Sequence, residues 1–208
     1  VLPEMWEPAD DLLAEVKTTI STVTPREPYY PGAHDRHESI KQAYQNCEGL
    51  DDSDTCELPR LLITDLDNNN VDEYLFNQEV FVGALGQTSL PGSDPGKYLK
   101  NAVQFCNEKL WGTLGANILI HPKTIRQLGS DFENAIADLR YGSIGVNAWC
   151  GLAFLTAECT WGAFPGHTST DIQSGIGVVH NTRLFEKPEK TVVYAPFTPF
   201  PRNILKGE

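Results

Sequence analysis

Between residues 80 and 147 the sequence alternates strand-like and helix-like segments, and this alternation constrains the fold more than any other feature. VFVGALGQTSL, 80–90, reads as a strand. PGSDPG follows, with Asp94 placed to cap a helix and Pro95 to fill its first position. The predicted helix from 95 carries Leu99, Val103, Cys106 and Leu110 on one stripe, with Gly112 near its end, and GANILIH, 115–121, is the next strand. Ser130 and Glu133 have the spacing of a capping box, Phe132, Ile136 and Leu139 supply the buried face of the helix it opens, and Gly142 stands where a left-handed stop is expected. SIGVN then reads as a strand ending on Asn147. Short apolar strands joined through helices are the pattern of right-handed crossovers. The expected fold class is therefore α/β, a three-layer arrangement of a parallel sheet flanked by helices. In such sheets the carboxyl ends of the strands open onto the ligand crevice. Asn147 and the aromatic, glycine-rich loop after it, CGLAFLTAECTWGAFPGH, should line that crevice.

The flanking segments are less regular. Residues 8–22 read as an amphipathic helix, with Pro8 at its first position, Asp10 and Asp11 in its first turn and Leu12, Leu13, Val16 and Ile20 at helical spacing. AHDRHESIKQAYQN predicts a more polar helix, and RLLIT, 60–64, a short strand. Near the end, KTVVYAPF, 190–197, reads as a late strand. Val192 and Val193 fall on opposite faces, and Pro196, Pro199 and Pro201 suit a sheet edge or a partner's sheet. The expected division is 1–189, the body of the chain, and 190–208, a late strand and tail.

At 208 residues, with 40% hydrophobic and 21% charged side chains, the chain has the bulk properties of one ordinary globular domain. A net charge of −12 disfavours nucleic acid and acidic membrane as partners. No apolar run approaches the roughly 18 residues of a membrane span, and VLPEMWEPADD lacks the features of a signal peptide. A cytoplasmic protein is expected. The five cysteines, Cys47, Cys56, Cys106, Cys150 and Cys159, lack the tight pairs of a zinc site. A Cys47–Cys56 bridge across the acidic loop between them is the alternative that a secreted binding domain would require.

Residues able to carry chemistry are few. Glu79, just before a strand, is either a solvated strand-end charge or an acceptor for ligand hydroxyls, with Phe81 as its apolar neighbour. His34, Asp35 and His37 read as a solvated helix face without a third ligand, so no metal site is expected. His167 and His180 read as hydrogen-bonded structural residues. Cys150 and Cys159 lack an adjacent base that would stabilise a thiolate, and QSGIG lacks the remainder of a phosphate-binding fingerprint.

Four blocks, in order, resemble the C-terminal part of the aldehyde dehydrogenase superfamily. QEVF is similar to the family's E-x-F motif, and NEKLWG, Asn107 to Gly112, to N-x-x-x-Y-G with Trp for Tyr. GSIGVN, Gly142 to Asn147, resembles G-x-V-x-V-N. TWGAFPG and SGIG, Trp161 to Gly166 and Ser174 to Gly177, resemble the aromatic–glycine loop and its S-G-x-G finish. Val82 and Gly83 stand where the family has Gly-Pro, as in a divergent branch.

The resemblance implies an NAD- or NADP-dependent oxidation of a small-molecule aldehyde to an acid. Glu79 would hold the nicotinamide ribose hydroxyls and Phe81 would lie by the nicotinamide. Asn147, Trp149, Phe154, Trp161 and Phe164 would support or line the aldehyde tunnel; the plainer reading of those aromatics is core. It also implies that the nucleophilic cysteine, the general-base glutamate and the dinucleotide-binding domain lie upstream, with residues 1–59 following the nucleophile. The isolated chain would then hold no catalytic residue, bind no cofactor and be inactive. Residues 191–194 would pair between subunits of a homo-oligomer. The rival reading is a stand-alone, non-catalytic α/β module that binds a partner through its late strand.

Overall fold

The alternation of strand and helix is realised as strands of separate small sheets rather than of one. A computed structural model describes residues 1–51 and 56–198. Pro199 and Pro201, which the sequence assigns to the tail, lie outside the described residues. The chain divides into two compact units, Val1–Ala102 and Val103 onward.

The first unit contains β1 (Leu2–Pro3), α1 (Ala9–Thr22), α2 (Ala33–Ala43), β2 (Glu48–Gly49), β3 (Leu61–Ile63), a single 3-10 turn (Tyr74–Phe76), β4 (Ala84–Gly86) and β5 (Ser89–Leu90). β3 pairs antiparallel with β2 and parallel with β4, and β1 pairs parallel with β5. Leu61, Leu62 and Ile63 are all buried, which is why this short run holds the centre of its sheet. The predicted α1 stripe, Leu12, Leu13, Val16 and Ile20, is half-buried. Pro8 is the residue before the helix rather than its first. Arg60 ties the unit together. Its main-chain N–H donates to the Asp51 carboxylate at 2.7 Å, its guanidinium pairs with the same group, and Nη2 reaches the Val23 carbonyl at 2.7 Å, just past the end of α1.

The predicted strand at 80–90 does not form as one piece. Residues 80–83 are irregular, and only Ala84–Gly86 and Ser89–Leu90 are paired. The cause is local: Phe81 has φ 45°, and the Ala84 N–H donates to the Val82 carbonyl at 2.8 Å, closing a tight turn where an extended ladder would run.

The helix α3 (Pro95–Lys109) carries the chain from one unit into the next. Asp94 caps it as the sequence implies, its Oδ1 accepting from the Gly96 and Lys97 amides at 3.0 Å. Phe105 is its buried residue, while the expected stripe of Leu99, Val103, Cys106 and Leu110 is only half-buried.

The second unit continues with β6 (Gly115–Ile118), α4 (Pro122–Leu128), α5 (Ser130–Asp138), β7 (Ser143–Val146), α6 (Leu152–Leu155), β8 (Trp161–Gly162), β9 (Val178–Val179) and β10 (Thr191–Tyr194). Its main sheet is wholly parallel, in the order β10-β7-β6, and β8 pairs antiparallel with β9. Every residue of β7 is buried, as a central strand between parallel neighbours requires. Burial of Ile144, Val146 and Phe132 stabilises this core by roughly 1.5–3 kcal/mol each. The chain is thus mixed α/β, with parallel sheets flanked by helices.

Three expectations change here. The Ser130–Glu133 capping box does not form, because α4 runs up to Gly129 and Gly129 itself is the cap, with no side-chain bond. Gly142 is not a left-handed stop, since α5 ends at an extended Leu139. A Cβ on Gly142 would instead lie 1.9 Å from the Gly162 carbonyl oxygen, so this glycine permits a close passage of two backbones. The late strand, set apart from residues 1–189 by the sequence, has a place within its own chain: β10 pairs with β7 from Thr191↔Ser143 to Tyr194↔Val146.

Candidate functional site

At the carboxyl end of β7 the polar groups of the sheet hold the following loop in place. Asn147 takes a left-handed conformation, φ 53°, which its short polar side chain tolerates better than most. Its Oδ1 accepts from the Ile120 N–H at 2.8 Å and its Nδ2 donates to the Ile120 carbonyl at 2.9 Å. The side-chain amide therefore continues, for one step, the ladder that the main chain of β7 has left. The chain then folds back: a Cβ on Gly145 would lie 2.2 Å from the Ala148 carbonyl oxygen. Cys150 is held from both neighbouring strands, its N–H donating to Asn117 Oδ1 at 2.7 Å and its carbonyl accepting from Ser143 Oγ at 2.8 Å.

Beyond this anchor lie the aromatics. Phe154 meets Trp161 edge-on at 5.7 Å and stacks with His180 at 5.1 Å. Trp149 is largely exposed, Phe154 is about half exposed, and Trp161 is half-buried. Phe164 lies beneath the Lys190 ammonium, 5.2 Å from its ring centre. Lys190 also donates to the carbonyls of Ile136, Ala137 and Leu139 at the end of α5. A cation suits that helix end.

The loop's far side is fixed by Thr113, in the turn between α3 and β6. Its N–H donates to Ser174 Oγ at 2.9 Å, its hydroxyl is hydrogen-bonded to His167 Nε2 at 2.7 Å, and its carbonyl accepts from the Phe164 and Gly142 amides. Asn107 similarly joins the last turn of α3 to the end of α5, donating to the Asp138 carbonyl and accepting from the Arg140 N–H. The asparagines and the serine of the resembling blocks thus have structural partners.

Glu79 and Phe81 belong to the first unit, whereas Asn147, Trp149, Phe154, Trp161 and Phe164 belong to the second. Glu79 is half-buried, and burial pushes its carboxyl above the ordinary value. Two residues on, Phe81 projects from the tight turn with 46% of its surface open. Its ring meets Tyr30 edge-on at 5.0 Å, and Tyr30 meets Tyr29 in the same manner at 5.2 Å. The pair therefore offers a carboxylate and a flat apolar ring at the entry of β4.

The histidines near residue 35 do not share one solvated face. His34 is exposed beside Glu57, but His37 is buried and its Nε2 is bonded to the Pro59 carbonyl at 2.8 Å. The α2 helix packs that side inward with Ala33 and Ile40. Among the described residues no group of three His, Cys, Asp or Glu side chains stands ready to hold a metal, and no helix is long and apolar enough to cross a membrane. All five cysteines are free thiols, Cys47 and Cys56 included. Burial pushes the Cys106 and Cys150 thiols up, away from the thiolate a nucleophile needs.

Sequence reasoning missed Asn117, Ser143, Thr113 and Tyr30. The first two left a trace as polar residues within apolar strands; the others had none, because their partners are distant in sequence. No protein-family model matches the chain, and no curated protein sequence matches it.

Proposed function

We propose that the chain is the C-terminal part of the catalytic domain of an NAD(P)-dependent aldehyde dehydrogenase, with the three-layer architecture of that family completed by residues upstream. The observation that carries this reading is the pairing of a half-buried carboxylate, Glu79, with the open ring of Phe81 two residues later. These groups fit the nicotinamide end of a dinucleotide: a carboxylate accepts two vicinal ribose hydroxyls, and a fixed aromatic face excludes water from one side of a flat ring. The dinucleotide, when bound, supplies the hydride acceptor. Glu79 orients, and Phe81 walls. Within the second unit, Asn147 would lock the start of the loop after β7, and Trp149, Phe154, Trp161 and Phe164 would make that loop an apolar lining suited to an aldehyde. The cytoplasm is the proposed compartment and a homo-oligomer the proposed assembly.

Two measurements test this. The pure 208-residue chain should produce no NADH or NADPH from any aldehyde. In the intact enzyme, Glu79→Ala should slow single-turnover hydride transfer by about ten- to a hundredfold, the worth of a charge-assisted hydrogen bond, with little effect on folding. Unchanged hydride transfer would leave Glu79 a strand-end charge and sink the reading.

A second reading, a non-catalytic module that binds a partner by strand addition, draws support from the outer edge of β10, which pairs with no strand among the described residues. An upstream coding frame that continues into a dinucleotide fold would exclude it.

A further inference from the structure

We propose that Tyr30 is a positioning residue of the nicotinamide site, acting through Phe81. The inference rests on the dehydrogenase reading and adds to it a residue from a different part of the chain, 51 positions before Phe81.

Phe81 needs an external hold. Its φ of 45° places a bulky side chain in the left-handed region, where a non-glycine residue is costly. The turn around it is tight: the Val82 carbonyl accepts from the Ala84 N–H, and a Cβ on Gly83 would lie 2.8 Å from Arg60 Cγ. The backbone is therefore fixed on the C-terminal side of Phe81, but no strand ladder fixes the direction of its ring. Tyr30 supplies that direction. Its ring meets Phe81 at 5.0 Å and 64°, the edge-to-face geometry that aromatic quadrupoles favour, and Tyr29 backs Tyr30 at 5.2 Å and 85°. Pro28 and Pro31 bracket the two tyrosines and limit the backbone freedom of the segment that carries them.

The exposure of these rings bears on function. Tyr29 is 88% exposed, Tyr30 50% and Phe81 46%, so the row of rings contributes little to the core. Half-open aromatics held in a fixed relative orientation present a face to a ligand, and for Phe81 that ligand is the nicotinamide. A ring left free to rotate would give up part of its contact on binding to the entropy of being ordered.

The test has two arms. In the chain itself, ring-proton chemical shifts of selectively labelled Phe81 report the tyrosine ring above it. Tyr30→Ala should remove the ring-current displacement, and Tyr30→Phe should keep it. In the intact enzyme, Tyr30→Ala should raise the KM for the dinucleotide roughly three- to tenfold with the aldehyde KM unchanged, and Tyr30→Phe should restore it. If Glu79→Ala raises the dinucleotide KM while Tyr30→Ala leaves it unchanged, the dehydrogenase reading stands and the role of Tyr30 is refuted. If neither variant changes it, the reading falls and this inference with it. If Tyr30→Phe behaves like Tyr30→Ala in both arms, ring packing is not the cause and the inference is overturned.

Discussion

Asn147 binds both the N–H and the carbonyl of Ile120 through its side-chain amide, at 2.8 and 2.9 Å. One asparagine thus replaces a main-chain pairing step while its own backbone turns away. A strand can stop on such a residue without leaving its neighbour's polar groups unpaired.

Asn147→Ala should consequently cost about 2–4 kcal/mol, from two lost hydrogen bonds and the strain of alanine in a left-handed position. Asn147→Gly should recover the strain but not the bonds. Urea unfolding gives the order of stabilities, and amide exchange at Ile120 should quicken in both variants. An alanine variant as stable as wild type would show the two bonds to be incidental.

Gly142→Ala should be more damaging than its size suggests. The added methyl would meet the Gly162 carbonyl oxygen at 1.9 Å, backbone against backbone, with no flexible side chain to give way. A loss above about 4 kcal/mol, or failure to accumulate as folded protein, is expected. Circular dichroism and a thermal scan of the purified variant are sufficient to check it.

Glu79 links stability to pH in the direction opposite to most carboxylates. Its folded pKa is raised by burial, so the stability it contributes is present below its unfolded value and is lost as pH rises through the folded one. Glu79→Gln should therefore stabilise the chain at pH 7 relative to wild type, and the gain should vanish near pH 4. Under the dehydrogenase proposal, the same variant should lose hydride transfer in an intact parent, an exchange of stability for function. Denaturant midpoints at the two pH values check the first claim.

The assembly proposal needs a different test from deletion of the late strand. Because β10 pairs with β7 inside the chain, truncation after Lys190 would uncover the central strand and unfold its sheet. The Thr191 and Ala195 amides point to β7, so by alternation those of Val192 and Tyr194 face outward. Tyr194→Pro removes an outward donor, together with the phenol ring, and leaves the amides that bond to β7 in place. If copies associate along this edge, the proline variant should sediment as a smaller species in its intact parent; an unchanged mass would place the subunit contact elsewhere.

Regions dominated by local rules were legible in the sequence. The α1 stripe, the Asp94 cap, the short β3 and the β6 and β7 strands follow from periodicity and capping within a few residues. The strand at 80–90 was misread because its apolar run hides a tight local turn, with Phe81 at φ 45° and the Ala84 N–H on the Val82 carbonyl, that the residue type at position 81 does not announce. α4 was missed because its seven residues carry little periodic signal. The parallel partner of β10 lies 48 residues earlier, at Ser143–Val146, and no local pattern announces such a pairing. The candidate site was chosen from residue types, Glu79 and Phe81 among them; the contacts around those residues were not legible, because they join segments far apart in sequence.

Thr113 has a kinetic consequence. Its N–H, hydroxyl and carbonyl engage residues between 142 and 174, so none of these bonds can form early from a locally ordered chain. The loop bearing Phe164 and His167 should be the last part of its unit to order during folding and among the first to open, with the parallel strands already in register beneath it.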